Sequence, residues 1–340
     1  MEGSSIAVDQ REAPADQAPS RARTRGTAAG MACCATACVL VGTSFSAAHI
    51  LSQYPYPMGQ ALRYGLAAIV LGCMVFAGKG ADRERKALRE LGMRAWLRLI
   101  ALAATGAVGF NLAILAAERT AAPAVPGVVV GCSPLVVAIL APLLARRRPR
   151  PRIVAAAVLV ASGAAVVQGF GHSGGGALAY SVLALGGEVS FSLLAVPLLG
   201  VISPMLLSAC ICAAATLEAA AVGLAAQGTA AWRTPDAAQA AAILWQALAV
   251  TVLAFWWWYT GLRRLGPERA QLFVGLMPVA AAVSAPVLGA GGLGPAQIGG
   301  SLLVAAGVVA GSVHTARRTA RNQAFSATGR AGSRRPGSAR

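Results

Sequence analysis

Two stretches of the chain repeat one another at a fixed offset, and this repeat restricts what the sequence can fold into. Residues 123–144 read PAVPGVVVGCSPLVVAILAPLL, and residues 267–288 read PERAQLFVGLMPVAAAVSAPVL. Alanine matches arise easily by chance in such a chain, whereas proline and glycine matches in one ungapped register do not. An offset of 144 residues aligns Pro123 with Pro267, Gly131 with Gly275, Pro134 with Pro278, Pro142 with Pro286, Pro151 with Pro295 and Gly163 with Gly307. We therefore predict an internal duplication.

Each copy of the repeat contains apolar runs that are long enough to cross a membrane. The 340 residues are 56% hydrophobic and 12% charged, whereas a soluble domain carries about a quarter charged residues. The charges lie in clusters, and the apolar runs between them reach the roughly 20 residues that span a bilayer. The sequence therefore predicts an all-α polytopic membrane protein and excludes a soluble domain.

Ten transmembrane helices are predicted, five in each repeat, with prolines or glycines at their joints. The spans are 30–51, 57–78, 95–116, 121–144, 153–170, 176–199, 203–226, 241–262, 268–290 and 296–314. The predicted units are a disordered cytoplasmic tail (1–29), a first repeat (30–170), a second repeat (176–314) and a basic cytoplasmic tail (315–340).

The basic residues predict the orientation of these spans. With the N-terminus inside, 26 of the 29 Lys and Arg residues fall in inner segments, two (Arg119 and Arg233) fall outside, and Arg63 lies within a span. Cytoplasmic loops carry such an excess, so both termini are predicted to be cytoplasmic. Because five spans is an odd number, the second repeat must enter the membrane inverted. Inverted repeats are typical of secondary transporters, whose substrate site lies near the midplane; this step rests on architecture alone.

Two kinds of segment carry a family resemblance. Residues 42–64, GTSFSAAHILSQYPYPMGQALRY, contain a small-polar turn, a proline and the arginine of helix two. The twin stretches are small-residue helices with a mid-span proline (Pro134, Pro278), each followed by a glycine in the closing helix (Gly163, Gly307). Over residues 31–314 the chain resembles the EamA-like family of the drug/metabolite transporter superfamily. The resemblance implies two five-helix repeats, a bacterial inner-membrane location and transport of small organic solutes, often export.

The chain departs from that family's pattern at two kinds of position. Val41 stands where an aromatic residue usually precedes the first glycine. The Leu-Gly-Glu turn that usually follows each twin helix is also missing, since the chain reads Leu-Ala-Arg at 144–146 and Leu-Gly-Ala at 288–290. These departures indicate a divergent subfamily.

Three charged residues lie within predicted spans, where each costs roughly 3 kcal/mol and is a candidate for function. One interpretation of Arg63, in helix two, is a fixed cation that holds a substrate carboxylate or pairs with a gating acid. The other is that its side chain snorkels to the outer interface. Glu188, near the midplane of helix six, is either a proton-coupling site or ammonium ligand, or a structural residue that stays protonated. Glu218, in helix seven, either pairs with Arg63 or faces a polar gap between helices.

Uncharged residues are weaker candidates. Polar side chains that could line a cavity, or simply join two helices by hydrogen bonds, are Thr43, Ser44, Tyr64, Asn111 and Tyr180. Pro134, Pro278, Gly131 and Gly275 are predicted to frame the site as hinges or open backbone. The aromatic run 256–259 fits a belt at the inner interface better than a cation-binding cage.

Together these features predict a secondary transporter, favouring export, of a small organic metabolite such as an amino acid, amine, nucleoside or drug-like molecule. Alternating access and proton coupling belong to this prediction. The expected partners are the small-molecule substrate and the lipid bilayer, in a monomer or homodimer. The net charge of +17 lies in tails and loops, so no nucleic acid is expected.

The sequence contains no Walker A, GxSxG or HExxH motif and so gives no sign of an ATPase, hydrolase or zinc protease, and neither cofactor nor metal is predicted. The alternative is a non-transporting membrane protein, either a scaffold or sensor or a lipid-modifying enzyme.

Overall fold

The computed structural model describes residues 18–47, 51, 54–119, 124–169, 175–284 and 294–311. These ranges are mainly helical and contain no strand. The predicted tail 315–340 and residues 1–17 of the predicted first tail lie outside the described residues. We number the apolar helices in chain order: α1 (Ala18–Ala47), α2 (Tyr56–Phe76), α3 (Met93–Ala117), α4 (Pro126–Leu144), α5 (Pro151–Gln168), α6 (Gly176–Leu198), α7 (Pro204–Gln227), α8 (Ala237–Leu265), α9 (267–284) and α10 (Pro295–Gly311). A surface helix, Ala81–Arg89, is left unnumbered.

Eight of these helices, α1 to α8, are long and apolar enough to cross a membrane. Large apolar side chains such as Ile69, Leu97 and Leu217 are exposed on their outer faces, as contact with lipid requires. The chain is therefore a multi-pass membrane protein. The last two predicted spans have a different form, because α9 is interrupted and α10 is shorter. The first helix begins at Ala18, ahead of its predicted start at Gly30.

Helix ends fall where the sequence supplies caps. Ser203 precedes α7 and its hydroxyl accepts the backbone N–H of Leu206 at 3.1 Å. Asp236 and Gln239 form a reciprocal capping box at the start of α8. Gly266 ends α8 with φ of 79°, a backbone conformation that only glycine adopts without strain.

Four of the helices are irregular near their middles. In α3 and α8 the segments Ala103–Gly109 and Gln246–Leu253 are π-helical. Helix α4 is broken by a turn at Cys132, and α9 contains the 3₁₀ segment Gln271–Gly275. Adding 144 to the first π-helical segment gives 247–253, which lies within the second.

Helices that are related by the 144-residue offset pack against equivalent neighbours. Helix α2 packs on α7, α1 packs on α8 and α9, and α6 packs on α3 and α4. The main core lies among α1, α2, α3, α7 and α8.

Helices α5 and α10 approach one another through glycines. A Cβ atom added to Gly163 would lie 2.7 Å from the carbonyl oxygen of Gly300. A Cβ atom added to Gly307 would lie 2.8 Å from the carbonyl oxygen of Ala156. The offset converts the first contact into the second.

Candidate functional site

A cavity of about 100 Å³ lies between α1, α2, α3, α6, α8 and α9. Five of the predicted site residues line it: Ser44, Arg63, Tyr64, Asn111 and Glu188. We call this space the central cavity. Its walls come from both halves of the chain, so the predicted polar residues of helices two and six meet at one place.

Arg63 is buried, with 8% of its surface exposed. Its Nε donates to Thr251 Oγ1 at 2.7 Å, and Nη1 lies 3.4 Å from Gln60 Oε1 and 3.5 Å from Gln246 Oε1. Among the described residues, no carboxylate forms an ion pair with Arg63. The guanidinium is therefore turned into the protein, where the described residues surround it with uncharged oxygens and with the ring of Tyr64, whose centroid lies 5.2 Å from Cζ.

The π-helical segment of α8 places the main partner of Arg63. Thr251 Oγ1 donates to the carbonyl oxygen of Gln246, five residues earlier, at 2.8 Å. That spacing matches the i→i+5 pattern of a π-helix. The hydroxyl oxygen is thus held in place and presents its acceptor side to the guanidinium.

Glu188, which also lines the central cavity, is held by a buried hydrogen-bond cluster. Gln271 Nε2 donates to Glu188 Oε1 and to Ser133 Oγ, each at 3.1 Å, while Gln271 Oε1 accepts from Ser192 Oγ at 2.6 Å. Ser133, Ser192 and Gln271 are fully buried. We call these four residues the Gln271 cluster. It joins α4, α6 and α9, and Gln271 is the first residue of the 3₁₀ segment in α9.

Aromatic rings form much of the remaining wall. Phe191 packs edge-on against Phe255 with ring centroids 5.0 Å apart, and against Tyr259 at 5.2 Å. Trp258 also lines the cavity, and its buried indole N–H has no hydrogen-bond partner in the part of the chain that the structure describes. The predicted aromatic run is therefore divided, because Trp256 and Trp257 line a separate groove of about 490 Å³ beside Arg263 and Arg264.

A second cavity of about 100 Å³ adjoins the central cavity toward the N-terminal end of α2. Four residues line both spaces: Ser44, Arg63, Phe110 and Asn111. Tyr54 lies at its far end, and its hydroxyl donates to the carbonyl oxygen of Arg233 at 2.6 Å. Burial raises the pKa of Tyr54, while the charge of Arg233 lowers it. The shared residues thus separate the central cavity from a space that extends toward the predicted outer surface.

The structure places three of the predicted polar residues away from the central cavity lining. Thr43 donates to the carbonyl oxygen of Leu40 within α1, and Tyr180 is 41% exposed. Both carboxylate oxygens of Glu218 are buried and find no hydrogen-bond partner among the described residues. The suggested pairing of Glu218 with Arg63 does not occur, since Arg63 contacts uncharged oxygens instead.

The predicted framing residues pack against the closing helices rather than lining the cavity. A Cβ atom on Gly131 would lie 3.0 Å from Ala164 Cβ of α5, and one on Gly275 would lie 3.2 Å from Val304 Cγ1 of α10. Pro134 is buried and Pro278 is half-buried. Each proline follows a residue of the site, because Ser133 belongs to the Gln271 cluster and Met277 lines the central cavity.

The sequence interpretation missed several site residues, of which Gln271, Thr251 and Trp258 matter most. An amide within an apolar span is a detectable signal, and Gln271 lies inside the predicted span 268–290. The side on which Trp258 faces depends on the rotation of α8, which its sequence does not reveal. No group of three or more His, Cys, Asp or Glu side chains suited to a metal ion occurs within the described ranges.

Residues 28–168 match the model of the EamA-like transporter family. This part of the chain is therefore similar to EamA-like transporters. The EamA-like match confirms the resemblance drawn from residues 42–64 and the first twin helix, and it places these residues in the drug/metabolite transporter superfamily.

Two further matches cover more of the chain than the family model does. The chain is 22% identical over 262 residues to the uncharacterized transporter YetK of Bacillus subtilis (strain 168), covering 75% of this chain and 78% of YetK. A solved crystal structure superposes with a TM-score of 0.71 at 21% identity, covering 87% of this chain and 99% of that one. That identity establishes a shared fold only. The family match and the match to YetK point to a membrane transporter rather than an enzyme.

Proposed function

We propose that the protein is a secondary transporter of small organic solutes that works by alternating access, with Arg63 and Glu188 as polar anchors. The observation that carries this proposal is the buried guanidinium of Arg63, which lines the central cavity without an ion-pair partner among the described residues. A buried charge is costly unless it is paired. An anionic group on the solute would supply that pairing, so the favoured solutes carry a carboxylate or a similar group.

The proposal includes two inverted five-helix repeats in a bacterial inner membrane, with both termini cytoplasmic. Three observations support the duplication beyond the sequence. The π-helical segments of α3 and α8 fall at equivalent positions, α1 and α6 pack against equivalent helices of the opposite half, and the α5–α10 glycine contact maps onto itself. The direction of transport is proposed as export, and protons are proposed as coupling ions at Glu188.

A solute panel tests the transport proposal. Purified protein is heated with amino acids, amines, nucleosides and drug-like molecules in turn, and the unfolding temperature is recorded. A solute at 100 times its Kd adds about 2.7 kcal/mol of stability. We expect stabilisation by at least one solute with an anionic group, its loss in Arg63→Ala, and uptake of the labelled solute by proteoliposomes.

The alternative of a scaffold or sensor predicts a different result. If no solute stabilises or crosses the membrane, and the double variant Arg63→Ala, Glu188→Ala accumulates with an unaltered cellular phenotype, the transport proposal is rejected.

A further inference from the structure

We propose that Gln271 transmits the protonation state of Glu188 to the two interrupted helices α4 and α9, acting as a positioning residue. The inference rests on the proposed role of Glu188 in coupling. It concerns the Gln271 cluster, in which one buried amide joins the acid on α6 to both twin helices.

The side-chain amide of Gln271 forms hydrogen bonds with three residues. Its two N–H groups go to Ser133 and Glu188, and its oxygen accepts from Ser192. A primary amide has two N–H donors, so both are in use and water has no access to the fully buried side chain. A change at any one partner must therefore alter the bonds to the other two.

The bond to Glu188 is the one that a proton changes. A charged carboxylate is a much stronger acceptor than a neutral carboxyl group. Proton binding therefore weakens the hold of Glu188 on the amide, which frees Gln271 to shift relative to Ser133. Protonation of Glu188 can therefore change the hydrogen bonds of the Gln271 cluster while the apolar contacts around the cluster stay the same.

The positions of Gln271 and Ser133 make the backbone responsive. Gln271 begins the 3₁₀ segment Gln271–Gly275, and Ser133 follows the turn at Cys132 that divides α4. Backbone hydrogen bonding is interrupted at both places, so each helix can change its bend there at a lower cost than in a regular stretch. Gln271 thus spans the two points at which the twin helices are easiest to bend.

Other ionisable groups near Glu188 must be considered in any pH response. Cys38 of α1 and Tyr259 of α8 are close enough to interact electrostatically with it, and Arg63 and Tyr64 of α2 line the same cavity. Helix α4 and the part of α3 beyond Arg98 contain no charged residue. Among these groups, within the described residues, only Glu188 accepts a hydrogen bond from Gln271.

Hydrogen–deuterium exchange in nanodiscs tests the inference without a known substrate. Exchange in peptides covering 128–136 and 269–277 is measured at about pH 6 and about pH 8, a range in which an active-site carboxyl can exchange its proton, and is corrected for the intrinsic pH dependence of exchange. For the native chain we expect both peptides to exchange faster at the lower pH. In Gln271→Met, which fills the same space without the amide, the difference should be lost in both.

Matched variants separate the possible outcomes. Gln227→Met, at the exposed end of α7, should behave as the native chain, and Ser192→Thr should keep the pH response that Ser192→Ala reduces. If Glu188→Gln abolishes the difference and a folded Gln271→Met retains it, Gln271 is not the link, although the role of Glu188 stands. If Glu188→Gln itself retains the difference, the coupling role of Glu188 fails. Should Gln271→Met not fold, the Ser192 pair decides the same question.

Discussion

Uncharged oxygens surround the buried guanidinium of Arg63 beside the central cavity. The short bond to Thr251 fixes its Nε, and the longer contacts to Gln60 and Gln246 leave part of Nη1 and Nη2 available. A planar guanidinium binds carboxylates through two parallel hydrogen bonds, which an ammonium group cannot do. The geometry of this residue, and not its charge alone, should therefore determine affinity.

Replacing Arg63 by lysine should weaken solute binding while preserving the charge. A hydrogen bond to a charged group contributes about 1.5–3 kcal/mol, so we expect KM to rise by at least about tenfold. The measurement is concentration-dependent uptake into proteoliposomes of the solute found in the panel. Arg119→Lys, exposed at the end of α3, is the matched control. An unchanged KM in Arg63→Lys would show that the guanidinium does not hold the solute.

Replacing Glu188 by glutamine should remove the pH dependence of transport. A carboxyl group gains its proton as the pH falls, and glutamine resembles the protonated form at every pH. We expect the variant to fold and to transport at the same rate across the pH range in which the native transport rate changes. Initial rates at a series of pH values test this, with Glu90→Gln on the exposed loop as control. A native pH profile in Glu188→Gln would remove this residue from coupling.

Five lining residues were predictable because polar groups in apolar spans are costly and therefore conspicuous. Arg63 and Glu188 are the clearest cases, and the structure brings both to the central cavity. Glu218 shows the limit of that argument, since its position along α7 is visible in the sequence while the side it faces is not. The same reason hid Trp258, which differs from Trp257 only by a rotation of about 100° around the helix axis.

At the scale of helices, the closest hydrogen-bond partners of Arg63 and Glu188 come from the irregular segments of α8 and α9. Thr251 reaches Arg63 from the π-helical part of α8, and Gln271 reaches Glu188 from the 3₁₀ part of α9. The spans themselves were predicted from hydropathy. The π-helical segments were not, because AATGAVG and QALAVTVL contain no proline and have the same composition as their surroundings.

The glycine contact between α5 and α10 should tolerate no added methyl group. Gly163→Ala places Cβ against the backbone of Gly300 and Val304, and Gly307→Ala places it against Ala156 and Val160. Overpacking of this kind costs about 1–3 kcal/mol, so both variants should unfold at lower temperature than the native protein.

Thermal unfolding in detergent measures this effect, and Gly72→Ala in α2 is the control. A Cβ atom at Gly72 has no neighbour within 4 Å. Alanine there should be neutral or slightly stabilising because its helix propensity exceeds that of glycine. Equal stability of Gly163→Ala and Gly72→Ala would mean that the α5–α10 contact is looser than described.

For the whole molecule, the arrangement of basic residues and the odd number of spans per repeat make one joint prediction. The loops that the offset relates should lie on opposite sides of the membrane. Residue 148 is followed by the fifth predicted span and residue 292 by the tenth. Only an inverted second repeat places the first inside and the second outside.

Reporter fusions can check this topology. Green fluorescent protein fused after residue 148 should fluoresce and alkaline phosphatase there should be inactive, and the two results should be reversed after residue 292. A fusion after Trp232 should match that after residue 292. The same result at 148 and 292 would mean that the halves are parallel, which would exclude inverted repeats.

The α5–α10 contact is made by equivalent residues of the two repeats, which the 144-residue offset relates to each other. If each half of the chain took the conformation of the other, that contact would therefore remain unchanged. Helices α1 and α6 would trade surroundings in such an exchange, whereas Gly163 and Gly307 would only take one another's place. If the protein works by the proposed alternating access, the contact between α5 and α10 would stay in place while the helices around it move. One rocking movement about this contact would then open the central cavity to one face of the membrane, and its reverse would open the cavity to the other face.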